Sequence, residues 1–560
     1  MRPRAAPRRA LLVPLGIAVA AAAPAVVAAQ DGPWALTNAR IETVSRGVIE
    51  RGTIVIRNGV ISAVGPAVTV PADARVMDLA GRTVSPGLID LVSSAGLPTV
   101  PAGSGGQGSG AAPRPSGLEP EKLVAEGVRL SPSEARTLRS SGITAVLISP
   151  SRGLFRGQSA LLPSRDSAAG SAAIRSPVAQ HVGYQGIGAG EYPGSLLGVI
   201  ATQRQMFYDA RRYGIMTDRW RTNPRGMTRP EQDPRLEALV PAARGQQPVF
   251  FDARNENEIR RAVRLGQELG LKLTVVGATE GWRAADALKR SGTVVSLDFP
   301  RATEVTGWRY RAGLSRTPGD SAAADGAARK LIEANAAALH QAGVRFALSS
   351  GGRPADLLPN VRKAVAAGLP AGVALEALTQ RAAELAGAGD ALGSIEAGKI
   401  ANLVISTGPL LADTARVTAV FVDGERYEMA PAPSEPPARS AGRNGPGSGS
   451  SSATAPAAAA SAAGTWSLTT NSPQGATEGI LTLQLDGTTL TGTLASDVLG
   501  TLPIRDGQLT GRRVSWSVTV SFGGNSFNLT YTGEIDGTRM QGTVAAGDLG
   551  TFPFTGEKKP

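Results

Sequence analysis

Two carboxylates with an arginine between them carry most of the chemistry this sequence offers. Asp252 and Arg254 follow the apolar run Pro248–Phe251, and Asp298 closes the run Val294–Leu297. If the two aspartates face each other, one can act as general acid and the other as general base without a metal. If Arg254 neutralises one of them, both are structural. The rest of the inventory is short. The chain has no Cys and two His, His181 and His340. That excludes disulfides, thiolate zinc sites, iron–sulfur clusters and a cysteine nucleophile. It also excludes any mechanism that needs three or four imidazoles from one chain. His340 sits in the helical pattern Ala336–Gly343 and is expected on the outside of the fold. His181, in Pro177–Val182, lies nearer a strand end. There it can combine with carboxylates around a metal, or with Ser159 as a dyad. Ser159 stands in Gly157-Gln158-Ser159-Ala160-Leu161, which lacks the second Gly of a nucleophile elbow. Gly186-x-Gly188-x-Gly190 lacks the spacing of a dinucleotide fingerprint and reads as a turn, and there is no P-loop.

The elements that must position these residues alternate along the chain. Residues 33–82 read as short strands, with Asn58-Gly59 as a hairpin turn. From Thr83 apolar strands alternate with helical patterns. Seven strand candidates are 83–91, 142–149, 176–183, 247–252, 271–276, 293–299 and 344–350. Several are apolar throughout, as parallel strands buried on both faces are. Asn255-x-x-Glu258 forms a capping-box pattern, and Ile259, Ala262, Val263 and Leu269 share one face of the helix that follows. This order predicts an α/β barrel, with an open doubly wound sheet as the alternative. Residues 97–117 are low-complexity and read as a mobile loop. Strands return at Ile395–Ser406 and Arg416–Glu428.

The chain has 560 residues and a net charge of +12. Residues 1–29 read as a signal peptide, with Arg2, Arg4, Arg8 and Arg9 before an Ala-rich apolar stretch and Val27-Ala28-Ala29 before the cut. The expected location is therefore exported: periplasmic, extracellular or envelope-associated. Those four arginines belong to 58 basic residues against 46 acidic ones, so the remaining chain is only modestly basic. Aromatics make up 4%, too few for a base-stacking surface, and nucleic acid is not an expected partner. No apolar run in the mature chain is long enough to span a bilayer.

Residues 429–463 are rich in Pro, Ala, Ser and Gly and read as a flexible linker. Residues 464–560 form a separate all-β unit with an internal repeat. Asp486–Leu494 (DGTTLTGTL) resembles Asp536–Val544 (DGTRMQGTV), at an offset of 50. Leu-Gly-Thr-x-Pro recurs at Leu499–Pro503 and Leu549–Pro553. The unit is expected to close as a small barrel or stack as a sandwich, and to be structural, adhesive or ligand-holding.

Several motifs resemble one family in the right order over about 33–428. Val84-Ser85-Pro86-Gly87-Leu88-Ile89-Asp90 looks like the first barrel strand of the amidohydrolase superfamily, near its imidazolonepropionase-like members. Gly393-Ser394-Ile395-Glu396-Ala397-Gly398-Lys399-Ile400-Ala401-Asn402-Leu403-Val404 resembles its return segment. Ala374–Thr379 and Ala382–Ala386 are similar to the preceding helices, and Asn58-Gly59 with Ile61–Gly65 to the N-terminal hairpin. The resemblance implies a TIM-like (β/α) barrel, 83–391, beside a composite β-sandwich built from 30–82 and 392–428. It also implies one or two divalent metals at the C-terminal end of the barrel, activating a water. Yet the positions that match the family's ligands hold Val92, Ser94, Gly277 and Gly351, and the fourth-strand segment, Pro248 to Arg254, has no Lys.

The reading is an exported family member without metal-dependent hydrolysis, holding a small-molecule ligand or substrate, or a partner, at the barrel mouth. No cofactor is expected, and self-association is left open. Asp252 and Asp298 are the candidate catalytic residues, and Arg254, Ser94 and Ser350 the candidate binding residues. The alternatives are a hydrolase of non-peptide carbon–nitrogen bonds, such as cyclic amides, with an atypical site, and an envelope protein that recognises its target through the C-terminal β unit.

Overall fold

The computed structural model describes residues 32–97, 117–150, 153–166, 173–184, 193–299, 329–429, 462–472, 475–496, 500–522, 525–545 and 551–558. The segments read as a signal peptide, as a mobile loop, as the Gly186–Gly190 turn and, nearly all of it, as a linker lie outside these residues. The described residues fall into two compact units, 32–429 and 462–558.

The first unit begins with β1 (Trp34–Glu42), β2 (Val48–Arg57), β3 (Val60–Gly65), β4 (Arg75–Asp78) and β5 (Thr83–Pro86). The Asn58-Gly59 turn joins β2 and β3 as expected, with both residues at positive φ. The barrel wall follows as β6 (Leu88–Ser93), β7 (Ile143–Ile148), β8 (Phe155–Gln158), β9 (Ala160–Pro163), β10 (Gln180–Gly183), β11 (Val249–Ala253), β12 (Leu273–Gly277), β13 (Val294–Leu297) and β14 (Phe346–Leu348). The chain then returns through β15 (Leu403–Ser406), β16 (Val417–Val422) and β17 (Glu425–Glu428). All seven strand candidates of the barrel segment are strands.

Both flanks join in one sheet, ordered β17-β16-β15-β5-β1-β2-β3, with β4 on β1. Period-2 alternation explains its position. Leu403, Ile405 and Phe421 face a core shared with Leu36, Ile41, Ile54 and Val84. Val404, Val420 and Val422, on the opposite face, enter the barrel's core. The return strand starts at Leu403 rather than Ile395, because the segment before it is used to dock. Ile395 N donates to Thr43 O, Gly398 N to Ile61 O and Ala401 N to Gly59 O. Lys399 Nζ closes the turn by donating to Gly389 O, Leu392 O and Ser394 Oγ.

In the barrel, β10 to β14 run parallel, as do β6 and β7. Gly87 allows the first strand to start, because a Cβ there would lie 2.0 Å from Thr144 Oγ1. The wall is made of two hydrogen-bonded sheets, β14-β13-β12-β11-β10-β8 and β6-β7-β9. The excursion β8–Ser159–β9 joins them on one side, with β8 antiparallel to β10 and β9 antiparallel to β7. Outward residues such as Val249, Phe251, Val275, Val295 and Phe346 pack under the helices. Phe250, Val276, Ala347, Ala145 and Leu147 form a separate core on the other face. The helix Glu256–Leu269 carries the predicted capping box and buries Ile259, Ala262, Val263 and Leu269.

The second unit is a closed antiparallel barrel of β18 (Gly464–Ser472), β19 (Gly475–Asp486), β20 (Thr489–Ser496), β21 (Gly500–Thr510), β22 (Arg513–Phe522), β23 (Asn525–Asp536), β24 (Arg539–Ala545) and β25 (Thr551–Lys558). The sequence repeat is a structural one. Trp466 pairs with Leu481 as Trp516 pairs with Tyr531, and Thr493 with Pro503 as Thr543 with Pro553. Trp466, Leu481, Leu494, Trp516, Tyr531 and Phe554 pack together in its interior.

Candidate functional site

The site sits where the parallel strands end, and strand alternation selects its side chains. On β11, Phe251 and Ala253 belong to the outer core, so Asp252 turns to the opposite face with Phe250. Asp298 follows the last residue of β13, and its N–H donates to Gly277 O. Arg254 opens the turn into the capped helix, where Glu258 Oε2 accepts its backbone N–H at 2.9 Å. Its guanidinium reaches both predicted aspartates. Arg254 Nε lies 3.4 Å from Asp252 Oδ1, and Nη1 lies 3.4 Å from Asp298 Oδ2. The structure thus brings Asp252, Arg254 and Asp298 together, with the arginine shared between the carboxylates.

A fourth member extends this chain. Arg156, on β8, places Nη1 3.2 Å from Asp252 Oδ2 and donates from Nε to Gly153 O. Glycines make the room. A Cβ at Gly277 would lie 3.1 Å from Arg254 Cγ, one at Gly351 3.0 Å from Asp298 Oδ2, and one at Gly183 2.2 Å from Arg156 Nη2. Sequence reasoning missed Arg156. The available signal was a lone arginine within the apolar stretch Leu154–Pro163, since a charge on a buried strand must be paired.

The other candidates are placed differently. Ser94 is exposed just beyond β6, and Val92 is half-buried. Ser350 is buried and committed to Asp90: its backbone N–H donates to Asp90 Oδ1 at 2.9 Å and its hydroxyl to Oδ2. Ser349 Oγ adds a third bond at 3.1 Å, so Asp90 ties β6 to the end of β14. Ser159 is buried and its hydroxyl bonds the Ala179 backbone rather than His181. His181 is buried against Phe250. His340 is half-buried in the last turn of the helix Asn335–Gln341. Among the described residues no three His, Cys, Asp or Glu side chains converge as a metal site, and no helix is long and apolar enough to cross a membrane.

Asp90 has a testable pH signature. Burial pushes its carboxyl above the ordinary value of 3.8, against the pull of the Ser350, Ser349 and Val92 hydrogen bonds. An acid whose pKa is raised by folding binds its proton more tightly in the folded state. Stability is therefore greatest below the unfolded value and falls as pH rises toward the folded one. Asp90→Asn is expected to remove that slope. In urea titrations the variant should gain on the wild type as pH rises above about 4. A difference that stays flat with pH would contradict this.

Residues 252–427 match the family model described as Amidohydrolase family. That stretch, from the middle of the barrel to the return strands, is similar to the amidohydrolase family. Among solved structures, an amidohydrolase from Thermotoga maritima MSB8 has a TM-score of 0.58 at 21% identity, covering 70% of this chain and 100% of that one. A prolidase complexed with N-methylphosphonate-L-proline has a TM-score of 0.43 at 19% identity, covering 71% and 100%. A molinate hydrolase has 0.43 at 16%, covering 71% and 95%. The first of these supports the amidohydrolase fold. No curated protein matches the sequence.

Proposed function

We propose that this chain is an exported protein whose amidohydrolase-family barrel has lost metal-dependent hydrolysis and binds a small molecule or a partner at its mouth. The observation that carries this reading is the chain of ion pairs Arg156–Asp252–Arg254–Asp298 across the strand ends. Metal-dependent hydrolysis needs a cation held by neutral imidazoles and carboxylates, with a water on it. Here the carboxylates are already paired, and each added cation would face a guanidinium. Gly277 and Gly351, which match ligand positions in the family resemblance, have no donor, and Arg254 and Asp298 stand in the space beside them. These residues do not fit a divalent metal. Export rests on the pattern of residues 1–29.

The test is the metal content of the mature chain, residues 30–560, by plasma mass spectrometry after purification without chelators. The expected result is well below one Zn, Mn or Fe per chain. One or two equivalents would overturn the reading and restore metal-activated water as the mechanism.

The shared Arg254 also supports a second reading, because it holds Asp252 and Asp298 at one end of the barrel. In a metal-free hydrolase of non-peptide carbon–nitrogen bonds they would serve as acid and base. Asp252→Asn or Asp298→Asn would then abolish turnover of a cyclic amide, and full rates in both variants would end that reading.

A further inference from the structure

Arg156 Nη2 and His181 Nε2 are among the buried polar atoms near the barrel mouth that have no hydrogen-bond partner among the described residues. The Arg156 side chain is 7% exposed, and His181 is 5% exposed. The other arms of Arg156 are engaged, Nη1 by Asp252 and Nε by Gly153 O. Nη2 is the arm left over, and it lies across Gly183. His181 and Gly183 are alternate residues of β10, so they share one face of the strand. Val182 between them packs into the outer core, which puts that shared face on the Phe250 side. A buried N–H without an acceptor is costly, and buried arginine donors are ordinarily satisfied. The Arg156 orphan therefore points to a missing acceptor, and a neutral imidazole with its proton on Nε2 can share that acceptor.

We propose that this corner of the mouth binds the carboxylate of a small organic acid, with Arg156 Nη2–H and His181 Nε2–H as its two donors. The inference rests on the mouth-binding reading above and names its ligand class. The charge balance selects a monoanion. Asp252 already shares the Arg156 guanidinium, and Arg254 is divided between Asp252 and Asp298. No second full positive charge is therefore offered to a phosphate dianion. His181 adds none, since burial, and then the Arg156 charge, push its imidazole down to about 3. A neutral imidazole still donates one N–H. One charged and one neutral donor match the two oxygens of a carboxylate.

The probes are trifluoroacetate and its neutral counterpart trifluoroacetamide, followed by fluorine NMR line broadening with the mature chain, residues 30–560. Trifluoroacetate should broaden strongly and the amide far less. Arg156→Gln should weaken trifluoroacetate binding roughly tenfold or more, the loss of one charge-assisted hydrogen bond. Gly183→Ala guards against a folding defect in that variant. It retains the charge that pairs with Asp252 but pushes the guanidinium aside, and it should lose binding as well. If both probes broaden equally and neither variant changes them, the mouth binds small molecules but not through Arg156. The carboxylate inference then fails while the mouth-binding reading stands. If the folded wild type broadens neither probe, the inference fails outright, and metal content decides the broader reading independently.

Discussion

Arg254→Met is expected to lower the stability of the first unit by about 2 kcal/mol, and Asp298→Asn in the same background to restore most of it. Asp298 has only 2% of its side chain exposed, and Arg254 Nη1 stands 3.4 Å from its Oδ2. Removing one partner of a buried pair typically costs about 3–5 kcal/mol, because the other charge stays buried. The Arg254 side chain is 47% exposed, so solvent screens part of the interaction and the lower figure is appropriate. Asp252 keeps Arg156 at 3.2 Å, so rescue by Asp252→Asn is expected to be small. Urea unfolding of the wild type, the three single variants and the two double variants measures each term as a double-mutant cycle. A loss under about 0.5 kcal/mol for Arg254→Met would show that the arginine is not the shared cation of the mouth.

The second large effect lies in the C-terminal barrel. Trp516→Ala is expected to destabilise that unit by about 4 kcal/mol, as large aromatic truncations in cores do. The Trp516 ring stacks on Tyr531 at 4.9 Å with a 5° interplanar angle and meets Phe554 edge-on at 5.7 Å. Only the transition of the second unit should move in a calorimetric scan, because the two units have separate cores. The repeat supplies an internal control. Trp466 occupies the equivalent position, but its Nε1 donates to Ala462 O at 2.9 Å, whereas Trp516 Nε1 has no partner among the described residues. Trp466→Phe should therefore cost about 1 kcal/mol more than Trp516→Phe, one net hydrogen bond. Equal costs for the two phenylalanine variants would remove the basis for this asymmetry.

Much of this molecule can be read along the chain. The apolar runs marked seven of the nine strands of the barrel wall and missed β8 and β9, because a strand buried on both faces leaves no room for polar residues whereas β8 carries Arg156 and Gln158. Asn58-Gly59 marked a hairpin, because its backbone demands positive φ. Asn255 and Glu258 marked a helix start, since both partners of a capping box lie within one turn. Asp252, Arg254 and Asp298 were legible as candidates because each charge ends an apolar run. Their arrangement was not. Whether Arg254 serves one aspartate or both depends on the spacing between neighbouring strand ends, which the register sets.

What remained illegible involves distance along the chain. Arg156 and Asp252 are separated by 96 residues, and Asp90 and Ser350 by 260. No local pattern links such pairs. Ser350 read as a ligand contact because it follows a strand end, yet its donors are spent on a buried carboxylate. The C-terminal repeat was plain in the sequence, but barrel or sandwich was undecided, because alternation specifies which face is buried and not whether the edges meet. The sequence by itself determined the element types, their order and the residues able to carry charge, since these follow from local sterics and from the period of apolar side chains. Only the tertiary structure decided which charges pair, which glycines make room for them and which donors are left without acceptors. Those outcomes depend on barrel closure, which brings the ends of distant strands within a few ångströms of one another.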